Sequence, residues 1–371
     1  MTDTVLITGG AGFIGRYVAR ALLERGHRVR VLDSFIEQVH GTSSTADHLD
    51  PSVEVVIGDV RDEAQMRRAL KGVDKVVHLA AEVGVGQSMY AIDRYVSVND
   101  LGTANLFQQL IDNPVKRVVV ASSMSIYGEG LYRTVDGDLI EDVVRVPRTR
   151  DTDPWDPLDK QGRALIPVPT PEWKKPALAS VYAITKYVQE RLTLTLTQTY
   201  GMEGVALRLW NVYGPGQALS NPYTGVLAIF ASRLLNGNSP VIFEDGHQRR
   251  DFVHVEDIAQ AFLLALEHER APGGVFNIAS GEDRSVNDVA RLLAKAMGRA
   301  DLEPEIAGKT RIGDVRHNIP DITKARTELG YAPKMDFEKG LAELSEWVAQ
   351  QQAEDRVSQA RRELEARGLV A

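Results

Sequence analysis

The sequence predicts an α/β protein: a doubly wound parallel sheet with helices on both faces, joined to a smaller, discontinuous α/β domain. Three observations carry this expectation. Short β-branched runs alternate with helical patterns through the first half, as parallel strands linked by crossover helices require. A glycine-rich turn follows the first run directly and opens a helical pattern. A carboxylate, Asp33, closes the second run 18 residues after the last glycine of that turn.

In chain order, strands are expected at 5–8, 28–32, 53–57, 75–79 and 117–121, with helices at 13–25, 63–70 and 95–111 between them. Seven of the sixteen prolines then fall between Pro147 and Pro176, a density incompatible with a regular helix or central strand. Residues 129–177 are therefore read as a long irregular insertion. A helical pattern returns at 180–200, followed by a strand at 204–209, a turn-rich stretch at 211–216, a helix at 255–266 and a strand at 275–278. This assigns 1–210 plus 251–280 to the Rossmann-like sheet domain and 211–250 plus 281–350 to the smaller domain. Residues 351–371, polar with helical spacing, are expected to form a solvated tail helix.

Composition narrows the function classes. The 371 residues, 43% hydrophobic and 25% charged, form an ordinary soluble composition with room for a sizeable core. A formal charge of -8 argues against nucleic-acid and anionic-membrane partners, so a ligand phosphate must meet local arginines and backbone N–H groups. Without cysteine there is no disulfide or thiolate nucleophile, and the eight histidines lack metalloprotease spacing, so no metal is expected. The N-terminal residues lack a signal-peptide pattern and no apolar stretch reaches the roughly 18 residues of a membrane span, which predicts a cytoplasmic protein.

Gly9, Gly12 and Gly15 allow a tight turn, close approach of the backbone to a pyrophosphate and close packing of the following helix. That helix begins at Phe13 and Ile14, and its N-terminus faces the phosphates. Asp33 is placed to accept from a ribose 2′-OH and to repel a 2′-phosphate, favouring NAD over NADP. Asp59 and Val60, just after the third strand, are placed to meet the adenine. Downstream, Tyr182 and Lys186 share one helix face, where the ammonium is expected to lower the phenol pKa from about 10 and yield a general base. The strand ending at 121 delivers Ser123 to the carboxyl ends of the sheet, where it can hydrogen-bond a reacting oxygen.

These residues, with His78-Leu-Ala-Ala81, Asn99, Arg208-Leu-Trp-Asn-Val-Tyr-Gly-Pro-Gly216 and Arg250-Asp-Phe-Val-His-Val255, resemble the extended short-chain dehydrogenase/reductase superfamily. Within it, the chain is similar to the nucleotide-sugar epimerases and dehydratases, to about residue 345. The resemblance implies Ser123, Tyr182 and Lys186 as catalytic residues and NAD as cofactor, met also by Leu79, Ala80, Ala81 and Asn99. It implies a nucleotide-diphosphate sugar gripped by Arg250 and Arg311 and touched by Val83, Ser88, Asn211, Val226, Gln248 and Asp314. A homodimer on helices 95–111 and 180–200 is implied as well.

Members that dehydrate their sugar place an Asp-Glu pair after the hydroxyl residue, because losing water needs a second acid and base. Met124 and Ser125 stand there and transfer no proton near neutral pH, which leaves 4-epimerisation by transient oxidation. The segments 217–230 and 242–246, with Gln248 and the long insertion, resemble a narrower group of 4-epimerases that convert dTDP-L-rhamnose to dTDP-6-deoxy-L-talose. The insertion of that group often carries a cysteine-containing segment that this chain lacks. A 4-ketoreductase or dehydrogenase, and an epimerase of a UDP-, GDP- or CDP-linked hexose, use the same residues. A non-catalytic dinucleotide-binding regulator has no need of them.

Overall fold

The structure, a computed structural model, describes residues 2–41, 46–145, 152–223, 225–311 and 313–370. Its centre is a seven-stranded parallel sheet of β1 (Thr4–Thr8), β2 (Arg28–Asp33), β3 (Glu54–Ile57), β4 (Lys75–His78), β5 (Arg117–Ser123), β6 (Glu203–Leu209) and β7 (Val275–Ile278). The strand order is β7-β6-β5-β4-β1-β2-β3. The chain thus winds outward from β1 to β3, then restarts beside β1 at β4 and winds the other way. Ligands bind at that reversal, outside the carboxyl ends of β1 and β4. Every residue of β1 and of β5 is buried, which is why these strands read as near-continuous apolar runs rather than as an alternation.

β5 extends two residues beyond its expected end because β6 runs alongside it, pairing Ser122 with Arg208 and Ser123 with Leu209. Ser123 is therefore held at the last rung of a ladder rather than on a free loop. The stretch expected as a turn at 211–216 opens with the strand Asn211–Tyr213, which pairs with Arg249–His254. Arg249–His254 also pairs with Asp283–Ser285 and His317–Asn318, so the domain boundary expected between 250 and 251 falls inside one strand. Phe252 faces a second core with Tyr213, Phe230, Leu293 and Phe337, while Val253 packs in the main one.

The insertion is more regular than its prolines suggest. Leu131–Arg133 is the middle strand of a three-stranded antiparallel sheet with Leu139–Ile140 and Ile166–Val168. Pro167 lies on an edge strand, where a missing N–H breaks no ladder; residues 146–151 lie outside the described set. Glu129 fastens this sheet to the body by accepting from the N–H groups of Arg316 (2.6 Å) and His317 (3.2 Å). The Arg316 guanidinium is buried among Asp156, Glu244 and Asp245.

The tail is not a solvated helix. Val357–Ala366 buries Ala360 and Leu364, and Glu363 accepts from the hydroxyls of Tyr90 (3.0 Å) and Tyr223 (3.1 Å). Its polar sequence concealed two apolar positions four residues apart, a stripe too narrow to register as amphipathic. Among the described residues no helix is long and apolar enough to cross a membrane, and no group of three or more His, Asp or Glu is placed to hold a metal ion.

Candidate active site

At the end of β1 the chain turns through Gly9–Gly12 into helix α1 (Phe13–Glu24). Gly9 has φ +68°, and a Cβ there would lie 2.8 Å from the Ala80 nitrogen. A Cβ on Gly15 would meet the Gly10 backbone at 2.5 Å, so this glycine lets α1 sit close against the turn. Gly12 differs: a Cβ would meet only the Gly9 oxygen, at 3.2 Å, because this side of the turn faces a cleft. No side chain caps α1, which leaves its first N–H groups for an anion. An open backbone cradle at a helix N-terminus fits a dinucleotide pyrophosphate.

The cleft is about 680 Å³, and Gly9, Gly12, Phe13, Ile14 and Gly15 form one end. Asp33, Asp59 and Val60 line the same space, as do Leu79, Ala80 and Ala81. Asp33 accepts from the N–H groups of Ala11 and Phe35, both at 3.0 Å, which fixes its carboxylate while leaving acceptor capacity for a ribose diol. Asn99 does not reach the wall. It lies in a π-helical stretch, Val96–Leu101, and its side chain bonds the Glu82 N–H (2.7 Å), the Glu82 carbonyl (3.1 Å) and Thr185 Oγ1 (2.9 Å). It thereby ties the segment after β4 to the helix Val181–Thr199.

Tyr182 and Lys186 enter the cleft from helix α2 (Val181–Thr199), which Ser180 caps by accepting from the Ala183 N–H at 3.1 Å. Ser123 comes to the same cleft from the end of β5 and lines it beside them. Desolvation in the cleft wall raises the pKa of the Tyr182 phenol, against the lowering by Lys186 expected from spacing, and the nearby Ser123 hydroxyl only partly offsets it. Burial brings Lys186 down to about 7, with Glu190 opposing the change. Met124 and Ser125 follow on a short 3₁₀ turn, and the Ser125 hydroxyl donates to Ser123 Oγ at 3.0 Å. No acid stands beside the phenol on that turn.

Of the expected sugar and phosphate contacts, Val83 lines the cleft. Ser88 is buried and accepts from the Tyr182 N–H (3.0 Å) while donating to the Val85 carbonyl (2.7 Å), so it supports the catalytic helix from below. The Arg250 guanidinium is turned onto backbone carbonyls, among them Arg316 at 2.8 Å, and Arg311 pairs with Asp314 at 2.9 Å. Asn211 donates to the Asp251 carbonyl (2.8 Å) and Gln248 to the Phe243 carbonyl (2.7 Å). Val226 begins the helix Val226–Leu235. None of these seven side chains joins the wall shared by Tyr182 and Lys186.

The walls also include residues that sequence reasoning missed: Glu82, paired with Arg94 at 2.7 Å, together with Trp210, Gly216 and Asn221. Trp210 and Gly216 stand within the 208–216 motif but were given no role there. Glu82 and Asn221 carried no usable signal, since each gains its neighbours from distant parts of the chain.

The fold and site define an NAD-binding α/β enzyme with a serine, a tyrosine and a lysine gathered in its cleft. The model of the NAD dependent epimerase/dehydratase family matches residues 5–149 and 164–279, and the chain belongs to that family. It is an NAD-dependent epimerase. It is 35% identical to the dTDP-L-rhamnose 4-epimerase of Burkholderia thailandensis, across 94% of this chain and 95% of the relative. It is 31% identical to a putative UDP-glucose 4-epimerase of Methanocaldococcus jannaschii, across 93% and 98%. Among solved structures, the UDP-glucose 4-epimerase of Thermotoga maritima with UDP-glucose superposes with TM-score 0.76 at 33% identity, over 93% of this chain and 98% of that one. A UDP-glucuronic acid 4-epimerase of Bacillus cereus, solved with UDP-glucuronic acid and NAD, gives 0.76 at 26% identity, over 94% and 99%.

Proposed function

We propose that this enzyme inverts C4 of a nucleotide-diphosphate deoxysugar, converting dTDP-L-rhamnose to dTDP-6-deoxy-L-talose. The observation that carries the chemistry is that Ser123, Tyr182 and Lys186 line one cleft with the glycine turn, with no acid on the 124–127 turn. The dTDP-L-rhamnose 4-epimerase relative, similar along 94% of this chain, supports the sugar. Tyr182 takes the proton of the C4 hydroxyl as its C–H bond breaks, and Ser123 holds the oxygen that becomes the carbonyl. Bound NAD supplies a reversible hydride store. After the 4-keto sugar turns over, Tyr182 returns the proton to the alkoxide formed on the opposite face, so atoms and electrons balance without net redox. The raised phenol needs nearby positive charge to act as a base near neutrality, and Lys186 is the side chain at hand.

Incubation with dTDP-L-rhamnose should give the C4 epimer by NMR, with no steady change in reduced-nicotinamide absorbance. Turnover only of a UDP-, GDP- or CDP-linked hexose would remove the proposed sugar, and a steady absorbance change would replace epimerisation by a ketoreductase. Tyr182→Phe should lower kcat by about 10²–10⁴-fold, the range for a general acid–base. A homodimer belongs to the same proposal: Ile92, Leu101 and Ile184 are 51%, 57% and 44% exposed on helices 92–112 and α2, apolar surface that a second copy would cover. Sedimentation of the parent and of Leu101→Glu tests it, and a monomeric parent would overturn it.

A further inference from the structure

Lys186 is buried in the cleft wall, and among the described residues its ammonium donates to Gln189 Oε1, at 2.6 Å, one turn further along α2. The other end of that amide faces Thr103 Oγ1 (2.9 Å), the Ala80 carbonyl (3.3 Å) and His78 Nε2 (3.2 Å). A carbonyl only accepts and an ammonium only donates, so these two neighbours fix which end of the amide carries oxygen. The surroundings are fixed in turn. Thr103 donates to the Asn99 carbonyl at 2.6 Å, and His78 Nδ1 shares a proton with Thr8 Oγ1 at 2.7 Å. Gln189 is fully buried and therefore has no water in reserve.

We propose that Gln189 is a positioning residue for Lys186, holding the ammonium at the reacting centre through an amide clamped by the β4 end and by Thr103. The inference rests on the proposed role of Tyr182 and Lys186. The charged and titratable groups around Lys186 are Glu190 on its own helix and His78 from β4, with Tyr182 in the same cleft and Glu190 already paired with Arg208 at 2.7 Å. A neutral oxygen accepting from the ammonium favours the charged form. Its loss makes the lysine easier to deprotonate, so the alkaline limb of the pH–kcat profile moves down. A carboxylate in its place moves that limb up.

The experiment uses the NAD-containing enzyme and records kcat, KM and retained NAD against pH for the parent, Gln189→Met and Gln189→Glu. Gln189→Met should lose about tenfold in kcat at pH 8 with KM within about twofold, its alkaline limb falling by about one pH unit. Gln189→Glu should keep NAD and move the limb upward by a similar amount. NAD retention should fail at lower pH in Gln189→Met than in the parent if the ammonium also secures the cofactor. Unmoved limbs in both variants, with Tyr182→Phe inactive, would overturn this inference alone. An active Tyr182→Phe would instead remove the reading beneath it. If Gln189→Met does not fold, the direction of the limb in Gln189→Glu decides.

Discussion

His78 shows what a single buried side chain contributes at the site. Its ring is fully enclosed between Thr8 and Thr103, and burial, with Lys186 nearby, holds its pKa at about 3. A histidine depressed in the folded state contributes stability above the unfolded value near 6.5 and loses it as pH falls toward the folded value. Between pH 6.5 and pH 5 that loss is about 2 kcal/mol, at roughly 1.4 kcal/mol per unit. Asp100 and Asp251, both raised to about 6 by burial, change in the opposite sense over the same window, so the whole protein hides the effect. It is exposed by difference. The destabilisation caused by His78→Asn, measured by denaturant unfolding, should be about 2 kcal/mol smaller at pH 5 than at pH 7; an equal penalty at both would show that His78 is not held neutral. Glu190 makes a second case, accepting from Arg208 at 2.7 and 3.0 Å and from Ser122 at 2.6 Å. Glu190→Ala leaves a buried guanidinium uncompensated and should cost about 3–5 kcal/mol in the same unfolding assay. Tyr182 and Lys186 could be placed together from sequence because residues four apart share a helix face, and both line the cleft. Gln189 could not be placed so, because its partners come from β4 and from the helix Gly102–Asp112 and share no pattern with it.

The glycine turn separates two roles that look alike in sequence. Gly15 is enclosed by backbone, so Gly15→Ala forces α1 away from the turn at a cost of about 1–3 kcal/mol and should lower the melting temperature. Gly12 faces the cleft, so Gly12→Ala costs the fold no more than about 1 kcal/mol but places a methyl where a pyrophosphate must approach. Purified Gly12→Ala should therefore melt close to the parent yet carry little NAD, while Gly15→Ala melts lower. Equal NAD content in Gly12→Ala and the parent would contradict the placement. The central parallel strands were legible because burial on both faces favours β-branched apolar runs, as in residues 5–7 and 118–120. The Asn211–Tyr213 strand and the insertion sheet were not, because two- and three-residue strands are made by their pairing partners rather than by local propensity.

The segment after residue 350 spans the molecule, which its composition gave no reason to expect. Asp355 binds Arg233 (3.2 Å) and Asn238 (2.8 Å) beside the helix Val226–Leu235, and the chain then crosses to the loop that follows β4. There Glu363 gathers Tyr90 and Tyr223, whose hydroxyls lie 2.6 Å apart, and Arg367 sits 4.3 Å over the Tyr90 ring. Lys309 pairs with Glu365 at 3.0 Å, and Arg311 bridges to Val370. The segment therefore joins three pieces that border the proposed sugar site: Tyr223, the Arg311 stretch and the 84–90 loop. That loop also carries Ser88, which accepts from the Tyr182 N–H. Ending the chain at residue 350 removes all of these ties but touches neither the glycine turn nor α1. The shortened enzyme should keep its NAD, because no tie reaches that end of the cleft. Its KM for the nucleotide sugar should rise at least about tenfold, equivalent to about 1.4 kcal/mol of lost binding. Initial-rate kinetics beside an assay of retained NAD separate the two effects. A shortened enzyme with parental KM would mean that the segment stabilises the surface without shaping the site, whereas loss of NAD together with activity would mean that it holds the whole cleft together.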